Sequence, residues 1–282
     1  MLIDLKNVKH VYNDENNVTA LNNINLKIDK GEFIGIVGHT GSGKSTLVQL
    51  FNGLIKPVQG VVKVDDIEVS GEKKNLKEIR RRVGLVFQYP EHQLFEETVY
   101  EDIAFGPKNL GFNEDEIETR VAEVMELVGL DFNEFKDRSP FKLSGGQQRK
   151  TAIAGVLALK PEVLVLDEPT AGLDPNGRDQ LSNLLKHLHE NLNMTIILIS
   201  HRMEEIAQLS TRVIVMHEGE IVMDGSPIEI FSKGEKLHQL SLELPQISEI
   251  LHRLNEKGLD IRTDLFSIND ASSEIIKALR GS

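Results

Sequence analysis

The sequence predicts an α/β fold built on a mostly parallel sheet and interrupted by a helical insertion. Three observations carry this. Continuous apolar runs at 32–38 ("EFIGIVG"), 163–169 ("VLVLDEP") and 195–200 ("TIILIS") read as strands buried on both faces. Between them lie segments with apolar residues at helical spacing, so strands and helices alternate. From Tyr89 to Leu159 the strand signals stop and helical periodicity takes over.

Taken in order, residues 2–12 and 24–28 ("INLKI") alternate apolar and polar, the pattern of half-buried antiparallel strands. The buried run at 32–38 ends in glycine and feeds "HTGSGKST", after which Leu47, Leu50, Phe51 and Leu54 recur at helical spacing. Gly53 suits the end of that helix. Further strands are "VVKVDD" (61–66) and "VGLVFQ" (83–88). Within the insertion, set at about 89–160, Ile117, Val121, Val124 and Val128 mark one amphipathic face. Leu181, Leu184, Leu185 and Leu188 form a second stripe between the strands at 163 and 195. "RVIVMHEGEIVMDGSP" (212–227) reads as a hairpin around Glu218-Gly219. Past about residue 230, short helices broken by Pro245 and Gly258 suggest a main domain over 1–230 and a separate C-terminal extension over 231–282.

Composition narrows the function. Lys and Arg total 32 against 44 Asp and Glu, a net charge of −12, which argues against a nucleic-acid coat. Absence of cysteine excludes disulfides and thiolate metal sites. The start, "MLIDLKNVKH", carries Asp4 and no apolar stretch, so it does not read as a secretion signal. No apolar run approaches the ~18 residues of a membrane span, and the chain reads as cytoplasmic. The acid is uneven: between Glu91 and Glu134 there are 13 Asp or Glu against only Lys108 and Arg120.

The stretch Gly38-His39-Thr40-Gly41-Ser42-Gly43-Lys44-Ser45, with Thr46 next, fits the phosphate-binding loop pattern in its required setting, after a buried strand and opening a helix. Glycines let backbone N–H groups converge on phosphate oxygens, and the helix N-terminus adds partial positive charge. Lys44 would reach the β- and γ-phosphates and Ser45 would ligate Mg²⁺; His39 and Thr40 fill free positions of the loop without assigned chemistry. "VLVLDEP" brings Asp167 to the carboxyl end of a central strand, where it can hold a Mg²⁺-bound water. Glu168 follows, positioned as a general base toward the attacking water. These residues point to a nucleoside triphosphatase using ATP and Mg²⁺.

"LSGGQ" (143–147), placed between the helical insertion and "VLVLDEP", resembles the signature of the ATP-binding cassette (ABC) ATPases. The resemblance covers about residues 2–228. It implies further roles: Gln88 as the Q-loop glutamine touching Mg²⁺ and water, Asp174 in the D-loop, His201 as the switch histidine at the γ-phosphate, and Tyr12 stacked on adenine. It also implies that two ATPase units pack head to tail, with Ser144, Gly145, Gly146 and Gln147 of one closing over the nucleotide held by Lys44 of the other. Those two motifs are 100 residues apart in the chain, with no long coiled coil between them, which favours a transport subunit over a DNA- or ribosome-directed machine.

"FQYPEHQLFEETVYEDIAFGPKNLG" (87–111) is similar to the ATPases of energy-coupling factor (ECF) importers of vitamins or metal ions, and "PKNLG" to the second of their two paralogous ATPase types. An ATPase of a binding-protein-dependent importer is the alternative. The resemblance implies a second ATPase subunit, identical or paralogous, a transmembrane coupling subunit, a substrate-binding membrane subunit and no nucleic acid, at the cytoplasmic face of the cell membrane. Glu91, Glu96 and Glu97, with Leu94 and Phe95 as an apolar anchor, are expected to receive the basic cytoplasmic helices of a membrane partner. Leu237, Leu240, Leu242, Ile247, Ile250, Leu251 and Leu254 are too apolar for a free tail. They either pack on the chain's own core or join the partner ATPase.

Overall fold

In the computed structural model, residues 1–12, 18–71 and 73–280 are described. Strands β1 (Ile3–Tyr12) and β2 (Val18–Ile28) pair antiparallel, and β3 (Phe33–Val37) follows as the first strand of the larger sheet. Helix α1 (Lys44–Phe51) leads to β4 (Gln59–Val64) and the short β5 (Ile67–Glu68), which complete an antiparallel sheet of order β2-β1-β4-β5. The second strand runs from Val18, longer than the 24–28 expected.

Helix α2 (Lys73–Arg82) precedes β6 (Val83–Val86), and the next strand, β7 (Val163–Asp167), comes only after the insertion. That insertion holds α3 (Val99–Leu110), α4 (Glu114–Leu127), α5 (Phe132–Phe135) and α6 (Gly145–Leu157). Then come α7 (Pro175–Glu190), β8 (Thr195–Ile199), α8 (Met203–Leu209), β9 (Arg212–His217) and β10 (Glu220–Gly225). The larger sheet has the order β10-β9-β3-β8-β7-β6, parallel except for the edge strand β10. The β9–β10 turn places Glu218 at φ 46° and Gly219 at φ 80°, the doubly left-handed backbone of a two-residue hairpin.

Every residue of β3, β7 and β8 is buried, as their unbroken apolar runs require. Beneath that uniformity lies the strand period of two. Ile34, Ile36, Val163, Val165, Ile197 and Ile199 enter a core shared with the antiparallel sheet and α1. Their neighbours Phe33, Val37, Leu164, Leu166, Ile196 and Leu198 enter a second core shared with the insertion, α7 and α8.

Ile117, Val121, Val124 and Val128 form the buried face expected of them, as do Leu181, Leu185 and Leu188. Leu54 departs from expectation: α1 ends at Phe51, the chain turns at Gly53, and Leu54 is exposed. The C-terminal helices are α9 (Pro227–Phe231), α10 (Gly234–Gln239), α11 (Gln246–Glu256) and α12 (Ile268–Arg280). The expected boundary at 230 falls inside a core, because Ile230, Phe231, Leu237, Leu242 and Leu244 all pack with the insertion-side cluster. Among the described residues, α11 and α12 make a further cluster around Leu251, Ile261 and Ala271, while Phe266 between them packs on the large core against Phe231.

Candidate nucleotide-hydrolysis site

Strand order brings the site together. β3, β8 and β7 are neighbours and parallel, so the segments leaving their carboxyl ends lie side by side at one edge. These segments carry Gly38–Thr46, Ser200-His201 and Asp167-Glu168.

In the loop after β3, close approach selects glycine. A Cβ on Gly38 would stand 2.4 Å from the Met216 carbonyl oxygen, and one on Gly43 would stand 2.5 Å from that of Ala20. Gly43 is also at φ 100° and is the N-cap of α1, so no side chain accepts from the helix's first N–H groups. The side of Gly41 is open, and Ser42 Oγ is buried without a hydrogen-bond partner. Lys44 Nζ donates to the Gly38 carbonyl at 2.8 Å and that of His39 at 3.0 Å. Burial holds its ammonium below the usual lysine range, against the opposing pull of Glu168 and Asp167. His39 and Thr40 engage each other, His39 Nδ1 lying 2.7 Å from the Thr40 carbonyl. Tyr12 stands half exposed beside the loop, its hydroxyl 3.2 Å from Thr46 Oγ1.

Asp167 is 8% exposed, and burial pushes its carboxyl above the ordinary range. A hydrogen bond from Ser45 and the charge of Lys44 pull it back. Ser45 and Asp167 make a hard oxygen pair, the donor chemistry Mg²⁺ takes when phosphates and water complete its shell. Among the described residues no cluster of three or more His, Cys, Asp or Glu could hold a metal by itself, so Mg²⁺ fits this place only together with phosphate. Glu168 turns out of β7 with φ 50°, its N–H still bonded to the Ile199 carbonyl at 2.9 Å. Its carboxylate is held from both sides: Gln88 Nε2 donates to Oε2 at 3.2 Å, and His201 Nε2 lies 2.8 Å from Oε1.

The signature motif is elsewhere. Ser144 is the N-cap of α6 in a reciprocal box, Oγ accepting from the Gln147 N–H at 3.4 Å while Gln147 Oε1 accepts from the Ser144 N–H at 2.9 Å. Gln147 therefore has a structural partner in its own motif. Gly145 and Gly146 have nothing within 4 Å of where a Cβ would stand, so their own domain does not demand glycine. With Asp174, the N-cap of α7, this motif lines a cavity of about 1110 Å³ whose lining includes no residue of the loop after β3.

The segment after Gln88 differs from expectation. Leu94 is buried in its own domain at 8% exposure. The exposed apolar feature is Phe95, stacked edge-on against Phe105 with centroids 4.8 Å apart. Glu91 is engaged internally by the buried Arg149, whose Nη2 reaches both carboxylate oxygens at 3.2 Å. Arg149 Nη1 also donates to the Pro169 and Ala171 carbonyls, each at 2.8 Å, tying α6 to the turn after Glu168. Sequence reasoning passed over Arg149. Its spacing of four before the buried Ile153 puts it on the inward face of α6 and was the available signal.

The sequence profile of the family described as ABC transporter matches residues 21–171. The chain is 52% identical to the energy-coupling factor transporter ATP-binding protein EcfA2 of Clostridium tetani, over 98% of this chain and 97% of that one. It is 50% identical to the protein of the same name in Caldanaerobacter subterraneus subsp. tengcongensis, over 100% and 99%. Among solved structures, cbiO1 of Clostridium perfringens, described as part of the ABC transporter complex cbiONQ, superposes with a TM-score of 0.75 at 38% identity, over 89% of this chain and 98% of that one. The ATP-binding cassette MJ0796, solved as a dimer in a post-hydrolysis state with ADP and phosphate, gives 0.73 at 32%, over 80% and 99%. The chain belongs to the ABC transporter family and is one of its ATPases. Within that family its similarity runs to the ATP-binding proteins of energy-coupling factor transporters.

Proposed function

We propose that this ATPase works as one of two head-to-tail subunits that power an ECF-type importer of vitamins or metal ions from the cytoplasmic face of the membrane. The observation that carries the paired reading is the separation of the two motifs within one chain. The phosphate loop and Glu168 gather at the sheet edge, whereas Ser144, Gly145, Gly146 and Asp174 line a different surface with open glycines. A second subunit, identical or paralogous, would bring its signature over this chain's nucleotide. The relatives' names support the transport reading, and no described helix is long and apolar enough to cross a membrane, so other chains would supply the spans.

In the site, Lys44 and the loop N–H groups bind the phosphates and Tyr12 stacks on adenine. Ser45 and Asp167, with Gln88, would hold Mg²⁺, whose charge screens the phosphate oxygens. Glu168 accepts the proton of the attacking water, oriented by Gln88 and His201. Phe95 and Phe105, flanked by Glu96 and Glu97, offer the coupling subunit an apolar contact with an acidic rim. Replacing Glu96 and Glu97 with Lys should weaken assembly with a membrane partner and leave the ATPase rate of isolated subunits unchanged. Undiminished assembly at low salt would remove that surface from the proposal. Mass spectrometry of the complex isolated in detergent tests the rest: a polytopic partner supports transport, and co-purifying nucleic acid would contradict it.

A further inference from the structure

Glu205 lies in the short helix α8 between buried Met203, Ile206 and Ala207, and is itself 8% exposed. A carboxylate so far from water needs hydrogen bonds. Two hydroxyls supply them, converging on Oε2: Ser200 Oγ donates at 2.7 Å and Thr170 Oγ1 at 3.1 Å. The donors come from different strand exits. Thr170 follows Glu168 by two residues after β7, and Ser200 immediately precedes His201 after β8. Ser200 Oγ also accepts from the Arg202 N–H at 3.1 Å, so its hydroxyl is fixed on both sides of His201. Burial raises the Glu205 carboxyl above its usual range, while the two hydroxyls, then Arg202 and Arg178, pull it down.

We propose that Glu205 is a positioning residue for ATP hydrolysis, clamping together the two strand exits that carry Glu168 and His201 and so fixing their 2.8 Å contact. The clamp acts through Thr170 and Ser200, not on the nucleotide. It suits the place because a carboxylate accepts from both hydroxyls and donates to neither. The inference rests on the reading that Glu168 and His201 act on ATP.

The test is steady-state ATP turnover by the full chain in a cycle of Glu205→Ala and His201→Ala. Glu205→Ala should lower kcat about tenfold, part of the ~10²–10⁴-fold that a positioned proton acceptor is worth. KM for ATP should stay within about twofold, because the loss falls on the transition state and not on binding. Glu205→Gln, whose amide oxygen can still accept, should recover most of the rate. In the His201→Ala background Glu205→Ala should cost little more. Equal proportional losses in both backgrounds, or a loss confined to KM, would overturn the clamp. Should Glu205→Ala fail to fold, Thr170→Val severs one arm of the clamp, and the same two outcomes decide. Normal turnover in Glu168→Gln and His201→Ala would overturn the underlying site instead, whereas loss there with normal turnover in Glu205→Ala overturns the clamp alone.

Discussion

Glu168 occupies the left-handed backbone region at φ 50°, a conformation that costs a non-glycine residue roughly 1–3 kcal/mol. The turn it makes, anchored by its N–H on the Ile199 carbonyl, sets the carboxylate between Gln88 and His201. Glu168→Gln keeps that backbone and removes only the proton acceptor. Turnover should fall by about 10²-fold or more with ATP binding retained, as equilibrium binding and single-turnover rates would show. Gly43 is constrained differently. Gly43→Ala combines a φ of 100° with a Cβ 2.5 Å from a backbone oxygen. It should lose roughly 2 kcal/mol or more in urea unfolding without nucleotide, and ATP affinity with it.

At the scale of elements, α6 holds two segments through one buried side chain, Arg149: the stretch carrying Glu91 and the turn of Pro169 and Ala171 after Glu168. Removing the Arg149 guanidinium would leave Glu91 and two backbone carbonyls without their donor. Arg149→Met should therefore destabilise by roughly 3 kcal/mol, the low end for a broken buried pair, since Glu91 keeps 22% exposure. The central strands were legible in the sequence because burial on both faces leaves no polar residue to interrupt the run. So were the phosphate loop and Asp167-Glu168, whose strand–turn–helix setting shows in local order alone. Arg149 and Glu205 were not, because a buried charge is allowed only by partners distant in sequence, here Pro169, Ala171, Thr170 and Ser200. Leu94 and Phe95 were not separable either: they adjoin at the end of a short 3-10 turn, and tertiary packing alone decides which faces inward. Helix α2 carries a weak signal for a similar reason, with Ile79 fully buried among basic neighbours.

At the scale of the whole molecule, the two cores give truncation a definite outcome. A chain ending after Ser232 loses Leu237, Leu242 and Leu244 from the large core, and each such burial is worth about 1.5–3 kcal/mol. It should not fold stably. A chain ending after Leu244 keeps the buried members of that core and loses the small cluster of α11 and α12, where Ile250, Ile268, Ile276 and Leu279 are exposed, together with the half-buried Phe266 that packs on Phe231. It should fold and bind ATP, and if α11 and α12 join the proposed second ATPase subunit it should dissociate from that subunit when nucleotide is removed, as sedimentation at low concentration would register. The central claim is that one nucleotide is held by Lys44 of one subunit and Ser144 of the other. It is tested most directly by nucleotide trapping in mixed pairs of two differently tagged copies, in a Glu168→Gln background. Pairing a Lys44→Ala copy with a Ser144→Arg copy puts both lesions in one site and should trap one nucleotide per pair. Putting both lesions in one copy, beside an intact one, damages both sites and should trap none. Equal trapping in the two arrangements would contradict the composite site.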